Sequence, residues 1–299
     1  MRIFLLNKLN ATVAIFSLLV GLVVGCAPTT NEYAGFAQAG TTYAVAVDQL
    51  LVVAGNTGID ATSERFLQDD ALANVSLESY QKLTSVDRER LQIIGRLRAH
   101  ARLLALYFSL VNQLATSDAP ERAQQALGGV VDNLNSIGNQ LRGSKIVTNK
   151  DAITSVTSLV VGFSIRGMLK DELNKRKDTI QVELNTQEEL LKALADAIQH
   201  DVSVINQSRE QRLIINPLRA EEPISNPDQW VKNRRIILTS QATVEELKTA
   251  SGAAKKLRLA FDNLVEGKLD LQQINTLLID LDSILAVAEV INHERDEQQ

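Results

Sequence analysis

Proline is scarce in this chain, and its distribution constrains the fold more than any other feature. Only five prolines occur in 299 residues, and the first three are separated by two gaps of more than ninety residues each. Because proline breaks helix interiors, these long gaps permit long helices. No stretch shows the period-two alternation and turn residues of hairpins, so strands are not expected to dominate. The chain is predicted to be all-α, an elongated helical bundle with long, partly coiled-coil-like helices. The prolines are Pro28, Pro120, Pro217, Pro223 and Pro227.

Apolar residues recur every three or four positions in the first half, as on helices that pack against a core. A first helix is predicted over Tyr33 to Ala54, ending at Gly55-Asn56-Thr57-Gly58, where the glycines indicate a helix stop and a turn. Residues 59–84 are ambiguous, and a strong stripe begins at Ser85 and stops at Thr116. The next helix is expected to start at Pro120, with Ser117 or Asp118 as its cap, and to end near Gly143.

The proline-free region that follows has a heptad pattern. Leu184, Leu191, Ile198 and Ile205 lie at seven-residue steps, which is typical of a coiled-coil stripe. Residues 149–215 form either one helix or two. If there are two helices, the break between them is expected at Gly162, at Gly167 or at Lys175-Arg176-Lys177-Asp178.

Residues 216–227 contain three prolines and are predicted to be a linker that divides the bundle domain, residues 33–299. Asn226-Pro227-Asp228 then predicts a capped helix start. That helix is expected to end at Gly267, and Asp270 is expected to cap the last helix.

The N-terminus carries an export signal of a recognisable kind. Arg2 and Lys8 precede fourteen uncharged residues from Ala11 to Val24, as in a signal peptide. The run is shorter than the ~18 residues of a spanning helix. It ends in Val23-Val24-Gly25-Cys26, which resembles the lipobox of bacterial lipoproteins and contains the only cysteine of the chain. The alternative interpretation is an uncleaved anchor helix.

The resemblance implies that residues 1–25 are removed and that Cys26 receives diacylglycerol and further acyl chains such as palmitate. Residues 26–32 would then be a flexible tether. Several acyl chains hold a protein to a membrane durably, whereas one does so only marginally. Ala27, in place of the aspartate that retains lipoproteins in the inner membrane, favours the outer membrane facing the periplasm. In a host with one membrane, the resemblance implies its outer face.

Charge argues against nucleic acid and anionic lipid as general partners. Without Arg2 and Lys8, 29 of the 31 basic residues remain against 36 acidic residues, a net charge of −7. A basic stretch after residue 87 is interpreted as a solvated helix face. Within it, Arg96, Arg98 and Arg102 are candidate partner contacts. Trp230 either clamps the linker against the bundle, which we favour, or anchors a partner. The basic stretch comprises Arg88, Arg90, Arg96, Arg98, His100 and Arg102.

No catalytic, cofactor-binding or metal-binding residue is predicted. The three histidines are far apart, and Asp196 with His200 and Glu289 with His293 lack the Glu-x-x-His spacing of helical metal sites. With Cys26 acylated, no thiol remains for catalysis or metal binding. Gly128-Gly129 lacks the neighbouring glycines of a nucleotide loop and is interpreted as a site of close helix packing.

Three functions stay open, in order of preference. The first is a lipid-anchored envelope protein that binds or scaffolds another envelope protein through exposed helix faces, with its oligomeric state open. The second is toxin-related, either an immunity protein or a bundle that inserts the uncharged segment 152–165 into a bilayer. That segment is more simply interpreted as a buried helix, because it is too short to span a membrane. The third and least favoured is a periplasmic enzyme.

Overall fold

The computed structural model of the protein is all-α, as predicted. Within the described residues it comprises seven α-helices and one π-helical segment, with no strand. The structure describes residues 30–68, 76–116, 120–143, 165–220, 223–269 and 271–296. The helices are α1 (Thr30–Gln68), α2 (Leu77–Thr116), α3 (Pro120–Arg142), α4 (Ile165–Arg209), α5 (Asn216–Arg219), α6 (Pro227–Val265) and α7 (Leu271–Asp296), and the π segment is Glu210–Ile215.

Helix α1 is much longer than the sequence predicts. It begins at Thr30, inside the expected tether, and runs for 39 residues through the glycines that were interpreted as its end. The reason lies in packing against α2. A Cβ at Gly55 would come within 3.3 Å of Leu91, and a Cβ at Gly58 within 2.7 Å of Arg90. These glycines therefore allow two helices to approach closely, and the predicted stop is wrong.

The boundaries of the next two helices agree better with the sequence. Helix α2 ends at Thr116 and α3 begins at Pro120 and ends at Arg142, all as predicted. Helix α2 starts at Leu77, eight residues before the predicted start of its apolar stripe. The proposed caps Ser117 and Asp118 lie outside the described residues.

Helix α4 continues without interruption through Lys175-Arg176-Lys177-Asp178 for 45 residues. It then widens into the π segment, where the Asn216 backbone N–H donates to the carbonyl of Gln211, five residues back. Pro217 follows at once. In a regular α-helix its ring would clash with the carbonyl of Leu213, and the wider turn relieves that clash. The chain therefore stays helical to Arg219, beyond the predicted start of the linker.

The start of α6 is capped as predicted. The Asn226 side chain accepts a hydrogen bond from the Gln229 backbone N–H at 3.0 Å, and Pro227 is the first helical residue. The helix ends at Val265, and Gly267 adopts φ 74°, the left-handed conformation typical of a C-terminal glycine. Asp270, the proposed cap of α7, lies outside the described residues.

One hydrophobic core connects the helices. The heptad residues of α4 are all buried, and Leu184, Leu191 and Ile198 belong to this core, so their stripe faces the bundle. Core residues come from both sides of residues 216–227. At one end three rings meet, with centroids 5.6 Å apart for Phe36–Phe108 and 5.8 Å apart for Phe36–Phe261.

Helix α1 is central and contacts α2, α4, α6 and α7. It runs antiparallel to α2, because Gly40 faces Phe108 while Gly55 faces Leu91. In the described part of the chain, α3 packs on α2 and α4. One sector of α1 nevertheless stays partly exposed, because none of the described helices covers it completely.

Candidate functional site

The incompletely covered sector of α1 contains an uncharged heptad pattern. Four residues at seven-residue steps lie on this face, and Val45 and Ile59 among them are 40% and 39% exposed. The residue three positions before each of the four is small or polar and also uncharged. We call these eight positions the α1 stripe. They are Thr42, Val45, Gln49, Val52, Asn56, Ile59, Ser63 and Phe66.

The opposite face of α1 explains why this stripe stays outside. Phe36, Tyr43, Val47 and Leu50 are fully buried in the core. Gly40 lies so close to the Phe108 ring that a Cβ there would overlap it. The inward face is thus already occupied by close helix packing, and the stripe projects from the remaining side.

Helix α2 packs beside α1, and we call its exposed side next to the stripe the α2 rim. Leu91 and Leu106 are 40% and 46% exposed, and Leu91 borders Gly55 of α1. Arg98 and Arg102 lie between them on the same face of α2. We call the shared surface of the stripe and the rim the groove; its floor is apolar and polar, and one side is charged.

The rim carries an excess of positive charge. The Asp48 carboxylate accepts hydrogen bonds from Arg98 Nε at 2.8 Å and from Arg102 Nε and Nη2 at 3.1 Å each. Two guanidinium groups share one carboxylate, so the cluster has a net charge of about +1. Arg102 is 63% exposed and can donate further hydrogen bonds to an incoming anion.

The four residues predicted as partner contacts lie at three separate places in the structure. Arg98 and Arg102 come together on the α2 rim, whereas Arg96 is exposed on another face of the same helix. Trp230 is partly buried at the start of α6, and its Nε1–H donates to the Ile214 carbonyl at 3.3 Å. That bond fits the interpretation of Trp230 as a clamp on the segment before α6. Cys26 lies outside the described residues.

His100 is not on a solvated face, and the prediction that placed it there is wrong. Its ring is fully buried between α2 and α4. Nε2 lies 2.8 Å from Glu183 Oε2, and Nδ1 lies 2.7 Å from Gln187 Nε2. Because an ionised carboxylate only accepts, His100 donates from Nε2 and accepts at Nδ1 from the Gln187 amide. The sequence gives no sign of this burial, because His100 is a polar residue within a run of basic residues.

A second buried contact attaches α3 to the same carboxylate. Arg142 Nη1 lies 3.0 Å from Glu183 Oε2 and 2.8 Å from the Thr186 hydroxyl. Gly138 makes room for the carboxylate, since a Cβ at that position would overlap it. This buried cluster of His100, Arg142, Glu183 and Gln187 therefore fixes α3 against α2 and α4.

Other candidate groups are dispersed. Asp196 and His200 are exposed on α4. Within the described ranges, no group of three or more His, Cys, Asp and Glu side chains could hold a metal ion. Gly128 meets only Arg176 at 3.7 Å and Gly129 faces open space, so they do not mark close helix packing as predicted.

The described part of the chain includes no helix that is long and apolar enough to cross a bilayer. Most of segment 152–165 lies outside that part, and its proposed insertion stays a prediction.

Neither protein-family models, nor curated proteins, nor solved structures provide a match to this chain. The site must therefore be interpreted from its own geometry.

Proposed function

We propose that this protein is a lipid-anchored module of the cell envelope that binds another envelope protein through an exposed helix face. The observation that carries the proposal is the α1 stripe, an uncharged surface with heptad spacing on the outside of a long helix. Heptad surfaces of this kind are used for helix-on-helix recognition.

In the sequence, the proposed anchor Cys26 shortly precedes the helix that carries the stripe. Helix α1 begins four residues after Cys26 and continues for 39 residues, which corresponds to about 58 Å. Acyl chains on Cys26 would hold the start of α1 near the membrane. The stripe would then lie within the length of α1 from the bilayer, where a partner from the envelope can reach it.

The burial pattern also supports a binding role. Val45, Ile59, Leu91 and Leu106 are apolar side chains with about two fifths or more of their surface exposed, and they lie on two helices that pack against each other. One exposed apolar residue needs no explanation, but several on the same pair of helices are a candidate interaction surface. The Arg98–Arg102 pair beside them adds a polar edge, as is usual for protein interfaces.

Site-specific photo-crosslinking in the native cells tests this proposal. A photoreactive phenylalanine analogue is placed at Ile59, at Arg102 and, as a matched control on another face of α2, at Arg96. We expect adducts of the same protein at the first two positions and none at Arg96. Equal adducts at all three positions, or none at Ile59 and Arg102, would contradict the proposal.

The contribution of the anchor is tested separately with Cys26→Ser in the same background. We expect the variant to leave the membrane fraction and the adduct at Ile59 to become weaker. A variant that stays in the membrane fraction would show that acylation of Cys26 is not the anchor.

A further inference from the structure

We propose that the groove between the α1 stripe and the α2 rim takes an amphipathic helix whose carboxylates face Arg98 and Arg102. This inference rests on the proposed function and specifies the chemistry of its partner.

The length of the stripe sets the length of the partner. From Thr42 to Phe66 the stripe covers 25 residues, or about 36 Å of helix. A partner helix of roughly seven turns would cover it fully. A short loop or a small molecule would contact only one or two of its heptads.

The floor of the groove favours a partner helix whose facing heptad positions are partly apolar and partly polar. Val45, Val52 and Ile59 offer apolar contacts at one set of positions. Asn56 lies between the last two and favours a polar residue opposite, whereas the amide oxygen of Gln49 is buried. Polar residues within a heptad seam fix the register of two helices at some cost in stability. The groove therefore suits a specific, reversible partner.

The charge of the rim selects acidic side chains on the partner. Asp48 already accepts from both Arg98 and Arg102, so one positive charge is left over. A carboxylate of the partner could approach the exposed Arg102 guanidinium and form a charge-assisted hydrogen bond. Flanking charges of this kind determine partner choice in coiled coils more than they determine affinity.

The same charges argue against a second copy of this chain as the occupant. In a two-fold pairing of two grooves, identical rims are presented by both copies. Each rim has an excess of positive charge, and its nearby carboxylate, Asp48, is already engaged. Like charges would then accumulate at the dimer interface without acidic partners.

Two synthetic peptides of 25 residues test the inference. Both carry the same leucine heptads, with Glu at every flanking position in one and Lys in the other. Fluorescence anisotropy measures their binding to the full chain in nanodiscs of zwitterionic lipid. We expect the Glu peptide to bind at least tenfold more tightly, and its binding to weaken as salt is added.

Matched variants assign the preference to the groove. Arg98→Glu with Arg102→Glu should lose the preference for the Glu peptide or reverse it, whereas Arg96→Glu on another face of α2 should leave it unchanged. Ile59→Lys should weaken both peptides. Arg102→Gln serves as a milder variant if the double reversal unfolds, which far-UV circular dichroism detects.

Three results would overturn the inference. They are equal binding of the two peptides, an unchanged preference in the Arg98→Glu, Arg102→Glu variant, and self-association through Ile59 in place of peptide binding. Adducts at Ile59 in cells together with any of these results would retain the binding module and reject only the acidic partner. Absent adducts would instead reject the proposed function itself.

Discussion

The two faces of α1 differ in how completely they are packed. On the inward face, Phe36 and Tyr43 are fully buried, and Gly40 brings the backbone against the Phe108 ring. On the outward face, Val45 and Ile59 have about the same apolar character as core residues but stay two fifths exposed. Burial of apolar surface stabilises the inward face, whereas much of the apolar surface on the outward face stays in contact with water. The inward face stabilises the fold, whereas the outward face leaves apolar surface exposed.

The largest expected effect comes from emptying the inward face. Phe36→Ala removes a ring in contact with Phe108 and Phe261, and we expect the free energy of unfolding to fall by about 3–5 kcal/mol. The matched change Val45→Ala on the outward face should alter it by less than about 0.5 kcal/mol. Urea unfolding followed by circular dichroism measures both. Similar losses for the two variants would show that the faces are packed alike.

A buried and an exposed ion pair should differ in the same way. Arg142→Ala would leave the fully buried Glu183 without its guanidinium, and we expect a loss of roughly 3 kcal/mol in the free energy of unfolding. Arg102→Ala removes an exposed partner of Asp48 and should cost under about 1 kcal/mol. Urea midpoints of the two variants provide the test. A cost for Arg102→Ala as large as that for Arg142→Ala would assign a structural role to the rim.

Replacing two glycines by alanine should change the stability in opposite directions. Gly40→Ala forces the Phe108 ring to move, and we expect destabilisation of about 1–3 kcal/mol. Gly95→Ala on α2 meets no atom within 4 Å, and should stabilise by up to about 1 kcal/mol through helix propensity. Thermal midpoints measured side by side decide the signs. Stabilisation by Gly40→Ala would mean that α1 and α2 are farther apart than described.

The smallest effect concerns two buried hydroxyls. Burial raises the pKa of Tyr43 and of Tyr107 above the ordinary value of about 10, and neither hydroxyl has a hydrogen-bond partner among the described residues. Because the folded state holds these protons more tightly, their contribution to stability is complete below about pH 10 and is lost as the pH rises further.

Tyr43→Phe removes one such hydroxyl together with its burial cost. We expect stability at pH 7 to be equal or higher by about 1 kcal/mol, and the alkaline unfolding midpoint to rise. An alkaline midpoint that falls in this variant would show that the hydroxyl has a stabilising partner.

The sequence predicts the fold class and several helix ends because these depend on local signals. Pro120 and the Asn226 cap mark helix starts in the chain itself, and the heptad leucines and isoleucines of α4 indicate its buried face. Gly55 and Gly58 carry the same local signal as a helix stop, and only the approach of α2 gives them another use. The length of α1 was therefore not predictable from its own residues.

The candidate site was predicted in part. Arg98 and Arg102 were singled out from charge alone, but the α1 stripe crosses the predicted break at Gly55 and could not be seen as one pattern. The burial of His100 is not predictable from the sequence either, since its buried partners Glu183 and Gln187 lie more than eighty residues away. Contacts over such separations have no trace in local composition.

Thiol labelling of single cysteines in intact cells tests the central claim most directly. If Cys26 is acylated, a cysteine introduced at Ile59 or at Arg96 is the only free thiol of the chain. We predict that a maleimide probe labels both positions in the purified protein, but in cells labels position 96 and leaves position 59 protected. Equal labelling of both positions in cells would contradict the claim that the outward face of α1 is covered by a partner.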